Sequence, residues 1–382
     1  MGPLNGIRIV EMAGIGPAPF CGMLLADLGA EVIRIDRLAA ADLGFEIDRR
    51  FDFLNRSKRA VAIDLKAPDG IATVRQLVAQ ADALIEGFRP GVMERLGLGP
   101  DELTEANPRL VYGRMTGWGQ DGPMRNLAGH DINFIAMMGV LNAIGQKDGP
   151  PAVPLNLIAD FGGGGLYLAM GVLAGLLEAR VSGQGQVVDA AMVDGVASLA
   201  TMHFGFRQAG LWENARGSNS LDGGAPYYTT YRTSDGRFMA VGAIEKRFYS
   251  ELLERLGLGH ADLPEQHDRA RWSELKDRLA AVFSTRTRDE WAALFADCDA
   301  CVTPVLDMDE CMTHPLAVAR GIFEPGSGAT GPAPAPRFSR TPERIRSAPV
   351  DPRSDTREAL LHWGLSERRI GELAAAGVIA PL

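Results

Sequence analysis

The sequence has little that would staple, anchor or charge it in a special way. Its 382 residues contain four cysteines, Cys21, Cys298, Cys301 and Cys311. A core of this size needs no disulfide or metal to hold together. Cys298-Asp-Ala-Cys301 has C-x-x-C spacing, which admits a redox or zinc reading. No second pair exists to complete a four-cysteine site, and the apolar run from Val302 to Leu306 reads instead as the start of a buried strand. No stretch approaches the ~20 consecutive apolar residues of a membrane span. Basic residues are the minority, 39 against 48 acidic, for a net charge of −9. Binding a phosphate backbone needs a basic face, so nucleic acid is excluded as the main partner. A small anionic ligand needs only a local basic pocket and stays open. The six histidines include no HExxH pair, and no carboxylate cluster resembles a metal cage. There is no Gly-x-Ser-x-Gly elbow. Metal-dependent and serine hydrolases are therefore disfavoured, and no metal is expected. The first residues run straight into a strand-like segment, and Ala380-Pro381-Leu382 is not a peroxisomal address. The expected compartment is a bacterial-type cytoplasm.

The sequence otherwise has an ordinary globular balance, 46% apolar and 23% charged. At about 150 residues per domain, its length suggests two or three domains. Short β-rich runs alternate with helical spacing: strands at 7–11, 32–36, 61–64, 83–86, 110–114 and 186–190, with helices at 20–28, 70–81, 165–179 and 193–205. Such alternation predicts a parallel sheet covered on both faces. Composition turns polar and glycine-rich around 207–225. A hairpin at 227–241 and helical patterns at 246–256 and 272–296 follow. A second Pro/Gly/Ser-rich stretch covers 324–352, and 354–375 is helical again. The predicted organisation is a large α/β domain (1–205), a linker (206–225), a small α+β domain (226–305), a second linker (306–352) and a helical return to the large domain (353–382).

Three glycine motifs stand out. Gly14-Ile-Gly16-Pro-Ala-Pro19, with Asp36 downstream, approaches a dinucleotide fingerprint. Its third glycine, which permits close helix–strand packing, is replaced by Pro19, so the segment reads as a tight turn into a helix and NAD is not expected. Gly162-Gly-Gly-Gly165 lacks the Gly-Lys-Ser/Thr of a phosphate loop. Following Asp160-Phe161 and opening a helix, it suits either close approach of a ligand to the backbone or close packing of the helix on the sheet. Gly223-Gly224 reads as a turn entering a strand.

Two acid–base candidates emerge. His130, in Gly129-His-Asp-Ile-Asn133, opens a predicted helix and has the pKa range of a general base. On the residues alone, a helix-capping segment with a solvated ring is the simpler account. Asp160 ends the apolar run from Leu155, at a helix start. That is a capping pattern, and it is compatible with accepting a proton beside a cleft.

On these residues the chain resembles the class III CoA-transferase superfamily, nearly end to end. The shared features are Leu25-Ala-Asp-Leu-Gly-Ala-Glu-Val32, Asn55-Arg-Ser-Lys-Arg59, Glu86-Gly-Phe-Arg-Pro-Gly91 and Gly183-Gln-Gly-Gln-Val-Val-Asp189. Gly129-His-Asp-Ile-Asn133, Pro154-Leu-Asn-Leu157 with Asp160-Phe-Gly-Gly163, and Asp222-Gly-Gly-Ala-Pro-Tyr-Tyr228 are similar to its α-methylacyl-CoA racemase branch. Transferases usually carry tyrosine where His130 stands. The resemblance implies a Rossmann-like large domain, a small domain and an interlocked homodimer. It also implies racemisation of 2-methylacyl-CoA thioesters through an enolate. His130 and Asp160 would act on opposite faces of the α-carbon. Glu245 would pair with the histidine across the dimer, and Asp131, Asn156 and Tyr228 would line the same cleft. Arg37, Lys66, Arg89 and Arg95 match positions near CoA, which enters as part of the substrate and not as a cofactor. Backbone N–H groups near Asp160 are the expected donors to the enolate oxygen. Met137, Met138, Met192 and Met202 are candidates for an adaptable acyl surface or for core. The competing expectation is a CoA-transferase in which Asp160 forms an acyl anhydride.

Overall fold

A computed structural model describes residues 2–39, 47–326 and 328–381. The chain divides into two compact units, one of residues 1–138, 155–199 and 318–382, the other of residues 139–154 and 200–317.

The first unit is built on six parallel strands, β1 (Arg8–Met12), β2 (Glu31–Asp36), β3 (Arg59–Ala62), β4 (Ala83–Glu86), β5 (Val111–Thr116) and β6 (Val187–Ala191), in the order β3-β2-β1-β4-β5-β6. Parallel strands are joined by crossovers that cover both faces, so their side chains are buried on both sides. Val10, Ile33, Val61, Leu84 and Tyr112 all lie in the core, under Leu360, Trp363 and Ile370 of the C-terminal helices. The helix Pro352–His362 also seals the β3 edge. Asp355 accepts the Ala60 N–H at 2.9 Å and Thr356 accepts the Ala62 N–H at 3.0 Å. Without them β3 would present open hydrogen-bonding groups.

The strand order reverses between β1 and β4. In such sheets ligands lie outside the carboxyl ends of the strands at this switch point. Here β1 ends and the Gly14–Gly16 turn begins, with Gly16 at φ +68° before the helix Pro17–Asp27. Beneath that helix lies a buried ion pair, Lys58 Nζ to Glu11 Oε2 at 2.7 Å, in which both side chains are at most 1% exposed. Lys58 also donates to the Pro19 carbonyl at 2.9 Å and to Asn55 Oδ1 at 3.2 Å.

The helical runs differ from the sequence pattern at several places. The predicted helix at 193–205 is two helices, Met192–Leu199 and Thr201–Gln208. The pattern at 272–296 is also two, Trp272–Phe283 and Arg288–Phe295, because Thr287 and Glu290 form a reciprocal capping box that starts the second. Residues Leu157–Ser182 form one continuous helical run of 26 residues with mean hydropathy 1.5, long and apolar enough to cross a membrane by length and composition. This corrects the sequence reading, in which the glycine run hides the continuity.

The run is held by glycines. Gly163 and Gly195 touch backbone to backbone, and a Cβ on Gly195 would lie 1.8 Å from the Gly163 carbonyl oxygen. Gly195→Ala is therefore expected to destabilise the protein by about 1–3 kcal/mol, the usual cost of overpacking. The denaturant midpoint checks this, and an unchanged midpoint would mean that the two segments part freely.

The second unit has a three-stranded antiparallel sheet of β7 (Tyr228–Arg232), β8 (Phe238–Gly242) and β9 (Val302–Pro304). Helices Lys246–Arg255, Trp272–Phe283 and Arg288–Phe295 contribute Leu252, Leu275, Phe283 and Trp291 to its core. Tyr231 stacks on Phe283 with ring centroids 4.9 Å apart. Cys301 lies directly before β9, and all four cysteines are free thiols. Residues 139–154 belong to this unit and not to the large domain as the sequence boundary places them. Arg216 holds them, donating to the carbonyls of Asn142 at 2.8 Å and Gly149 at 2.7 Å.

Candidate active site

Two segments distant in sequence make the centre. The first opens the helix Asp131–Met137, with His130 as its N-cap. The backbone N–H of His130 donates to Asn133 Oδ1 at 3.0 Å, which fixes the entry of the chain. Gly129 is needed just before it, because a Cβ there would lie 2.8 Å from the Phe134 ring, which packs edge-on against Trp118. The His130 side chain is left exposed.

The second segment, Leu157–Gly165, is a π-helix, a wide turn frequent at functional sites. Its glycines decide the reading left open by the sequence. Gly163, Gly164 and Gly165 are buried against Val196, Met192, Pro17 and Phe20, so they serve packing, on two helices and not on the sheet. Phe161 reinforces the contact, with its ring centroid 4.8 Å from that of Phe20.

Asp160 rides on the outer side of this turn, half-buried. Asn156 Nδ2 donates to its Oδ2 at 3.0 Å. The same oxygen faces the turn after β1, where a Cβ on Gly16 would approach it to 3.3 Å. The Asp160 carboxylate therefore sits beside the switch point of the sheet. Burial raises its pKa above the usual aspartate range. The Asn156 hydrogen bond opposes that shift, the nearby charge of Asp131 adds to it, and His130 opposes it. His130 and Asp160 are thus within electrostatic reach of each other.

Asp131 departs from its expected place. It is 3% exposed, and its carboxylate turns inward and does not line a cleft. Its Oδ2 accepts the backbone N–H of Ala159 at 2.6 Å and of Asp160 at 2.9 Å, while its Oδ1 is buried with no partner. The N–H groups of residues 159 and 160, expected to receive an enolate oxygen, are occupied by this side chain. Nothing in the sequence marks the inward turn, since an aspartate in the first turn of a helix suits the exposed surface equally well.

The four cations follow the carboxyl ends of strands. Arg37 follows β2, Lys66 follows β3, Arg89 follows β4, and Arg95 ends the helix Val92–Arg95; all four are exposed. The loop of Arg89 is anchored by Glu86, which accepts the Phe88 N–H at 2.7 Å and pairs with Arg114 at 3.1 Å. Burial pushes the Glu86 carboxyl up to about 7, against the pull of Phe88 and Arg114. Glu245 and Tyr228 are carried by the second unit. Glu245 is the exposed N-cap of the helix Lys246–Arg255, and Tyr228 opens β7. Of the four methionines, Met192 is buried against Gly164, Met138 is half-buried, and Met137 and Met202 are exposed. Among the described residues no group of three or more His, Cys, Asp or Glu is arranged to hold a metal.

An exposed imidazole beside a carboxyl group of raised proton affinity is an acid–base pair. It can remove a proton from a weak carbon acid and return one from another direction.

The comparisons with known proteins point the same way. A family model described as CoA-transferase family III matches residues 4–356. The alpha-methylacyl-CoA racemase of Mus musculus is 47% identical over 379 residues, spanning 98% of this chain and 97% of that protein. The racemase of the same name from Homo sapiens is 46% identical over the same length and shares. Among solved structures, a CAIB/BAIF family protein from Brucella suis superposes with a TM-score of 0.82 at 26% identity, covering 95% of this chain and 99% of that one.

Proposed function

The chain belongs to CoA-transferase family III, and from that premise and the His130–Asp160 geometry we propose that it racemises 2-methylacyl-CoA thioesters by 1,1-proton transfer. A thioester α-proton is weakly acidic, so its removal needs a placed base and a stabilised enolate. Neutral His130 takes the proton of one epimer while protonated Asp160 delivers one to the opposite face. The reverse direction exchanges the roles.

The observation that carries this reading is the raised proton affinity of the half-buried Asp160 beside an exposed imidazole. A carboxyl group of raised proton affinity suits a proton donor better than it suits an anhydride-forming nucleophile, which must be ionised.

CoA brings several phosphate charges. Arg37, Lys66, Arg89 and Arg95, exposed beyond the ends of β2, β3 and β4, are the cations we assign to it. The acyl chain needs an apolar surface, and Ile15, Ile132, Met137 and Leu157 are exposed large apolar residues flanking Gly16, His130 and Asp160 in sequence. Glu245 would orient the His130 ring and favour its imidazolium form. In this reading it does so across a homodimer. An unpartnered apolar stripe supports the dimer: Leu166, Met170, Leu177 and Val181 lie on one side of the helix Leu166–Ser182 at 50%, 58%, 65% and 90% exposure.

The test is incubation of one epimer of a 2-methylacyl-CoA with the protein in D₂O, without any acceptor acid. NMR follows the α-position and chiral separation follows the epimer ratio. Deuterium uptake with loss of configuration is the expected result. No exchange with several branched acyl-CoAs, together with CoA transfer once a free acid is added, would overturn the proposal in favour of the transferase.

A further inference from the structure

We propose that Asp131 is a positioning residue for Asp160: a buried carboxylate that clamps the Asp160 backbone through two N–H groups and sets the charge against which Asp160 holds its proton. The inference rests on the proton-transfer reading. It departs from the expectation that Asp131 lines the cleft, since a side chain 3% exposed does not meet substrate.

Three observations carry it. A single oxygen, Oδ2, accepts from Ala159 at 2.6 Å and from Asp160 at 2.9 Å. Both N–H groups lie near the start of the π-helix Leu157–Gly165, whose first turn lacks helical partners for them. The clamp therefore satisfies two orphan donors and fixes the peptide that carries Asp160. The second oxygen, Oδ1, is buried and unpartnered. A capping role alone is met by a neutral acceptor, as asparagine or serine provides at ordinary helix starts. An unsolvated anionic oxygen is costly to keep. The Asp131 charge raises the proton affinity of Asp160.

The surroundings leave few competitors. The groups acting electrostatically on Asp160 are Asp131 and His130, of opposite effect, and its hydrogen-bond partner is Asn156. The side chains packed against the glycines of the π-helix, Pro17, Phe20, Met192 and Leu199, are not titratable. Asp131 opposes the ionisation of Asp160, and His130⁺ favours it. When His130 is neutral and ready to accept a proton, burial and the Asp131 charge both favour the proton on Asp160 and it is poised as the acid. When His130 is protonated, Asp160 ionises more readily and becomes the base. The fixed charge thus adds to the proton affinity of Asp160, and the His130–Asp160 attraction couples the two protonation states.

The test compares full-length wild type with Asp131→Asn, which keeps an acceptor oxygen but no charge, and Asp131→Glu, which keeps the charge. One readout is the pH profile of kcat for α-proton exchange. The other is direct titration of the Asp160 carboxyl by ¹³C NMR, assigned by its loss in Asp160→Asn. In Asp131→Asn the titration of Asp160 is expected to move down by roughly one pH unit, with about a tenfold loss of kcat at neutral pH and little change in KM. Asp131→Glu is expected to restore the titration. A profile and a carboxyl titration in Asp131→Asn that superimpose on wild type would overturn the proposal. If Asp131→Asn fails to fold, the smaller Asp131→Ser supports the same comparison. The two readings fail separately. A wild type that exchanges no α-proton defeats racemisation, while the NMR titration still decides the clamp.

Discussion

Asp160→Ala and His130→Ala are each expected to slow racemisation by roughly 10²–10⁴-fold, the range lost with a positioned acid or base. The two losses will not be equivalent. Inversion needs both faces, but proton removal needs only one. Asp160→Ala keeps His130, so the epimer whose proton faces the histidine should still exchange that proton slowly with D₂O and keep its configuration. His130→Ala should show the mirror behaviour with the other epimer. The double variant should be little slower in racemisation than either single one, because residues acting as a unit are not additive. The measurement is deuterium uptake and epimer ratio from each pure epimer, for all three variants. Equal loss of exchange from both epimers in each variant would argue against two bases on opposite faces.

Lys58→Met is expected to cost about 3–5 kcal/mol of stability, the usual penalty for leaving one member of a buried ion pair without the other. Glu11 and Lys58 are each at most 1% exposed and 2.7 Å apart, so neither charge finds water when its partner is removed. Burial already pushes the Glu11 carboxyl up and the Lys58 ammonium down, against their mutual attraction, so this pair sits close to its limit. The loss extends beyond the pair. Lys58 also holds the Pro19 carbonyl, at the start of the helix that follows the Gly14–Gly16 turn. Replacing both residues, Glu11→Leu with Lys58→Met, should recover much of the stability, since an apolar pair of similar volume has no charge to desolvate. Urea unfolding of the single and double variants checks this. A single variant as stable as wild type would mean that the pair contributes nothing.

Much of the first unit was legible in the sequence. Runs such as Val32–Asp36 and Ala83–Glu86 are short, apolar and bounded by turns, and they fall within one or two residues of β2 and β4. His130 opens a helix as its glycine and following polar residues imply. The split of 272–296 was also written in the chain, as Thr287 three residues before Glu290, but the surrounding apolar spacing reads through it.

Tertiary structure decided the rest, for one physical reason. Periodicity reports how apolar residues face a core, but it does not say which element they will meet or where a lone polar side chain will turn. Gly162–Gly165 read equally as a ligand approach or a packing surface until the Pro17–Asp27 and Met192–Leu199 helices were seen against them. Asp131 was expected to line the cleft, yet it is buried where two N–H groups, 28 and 29 residues further along the chain, find an acceptor in it. By itself the sequence determined the strands, the turns and the types of residue available for proton transfer. Only the packing of distant segments decided which of them face the reaction and which hold the others in place.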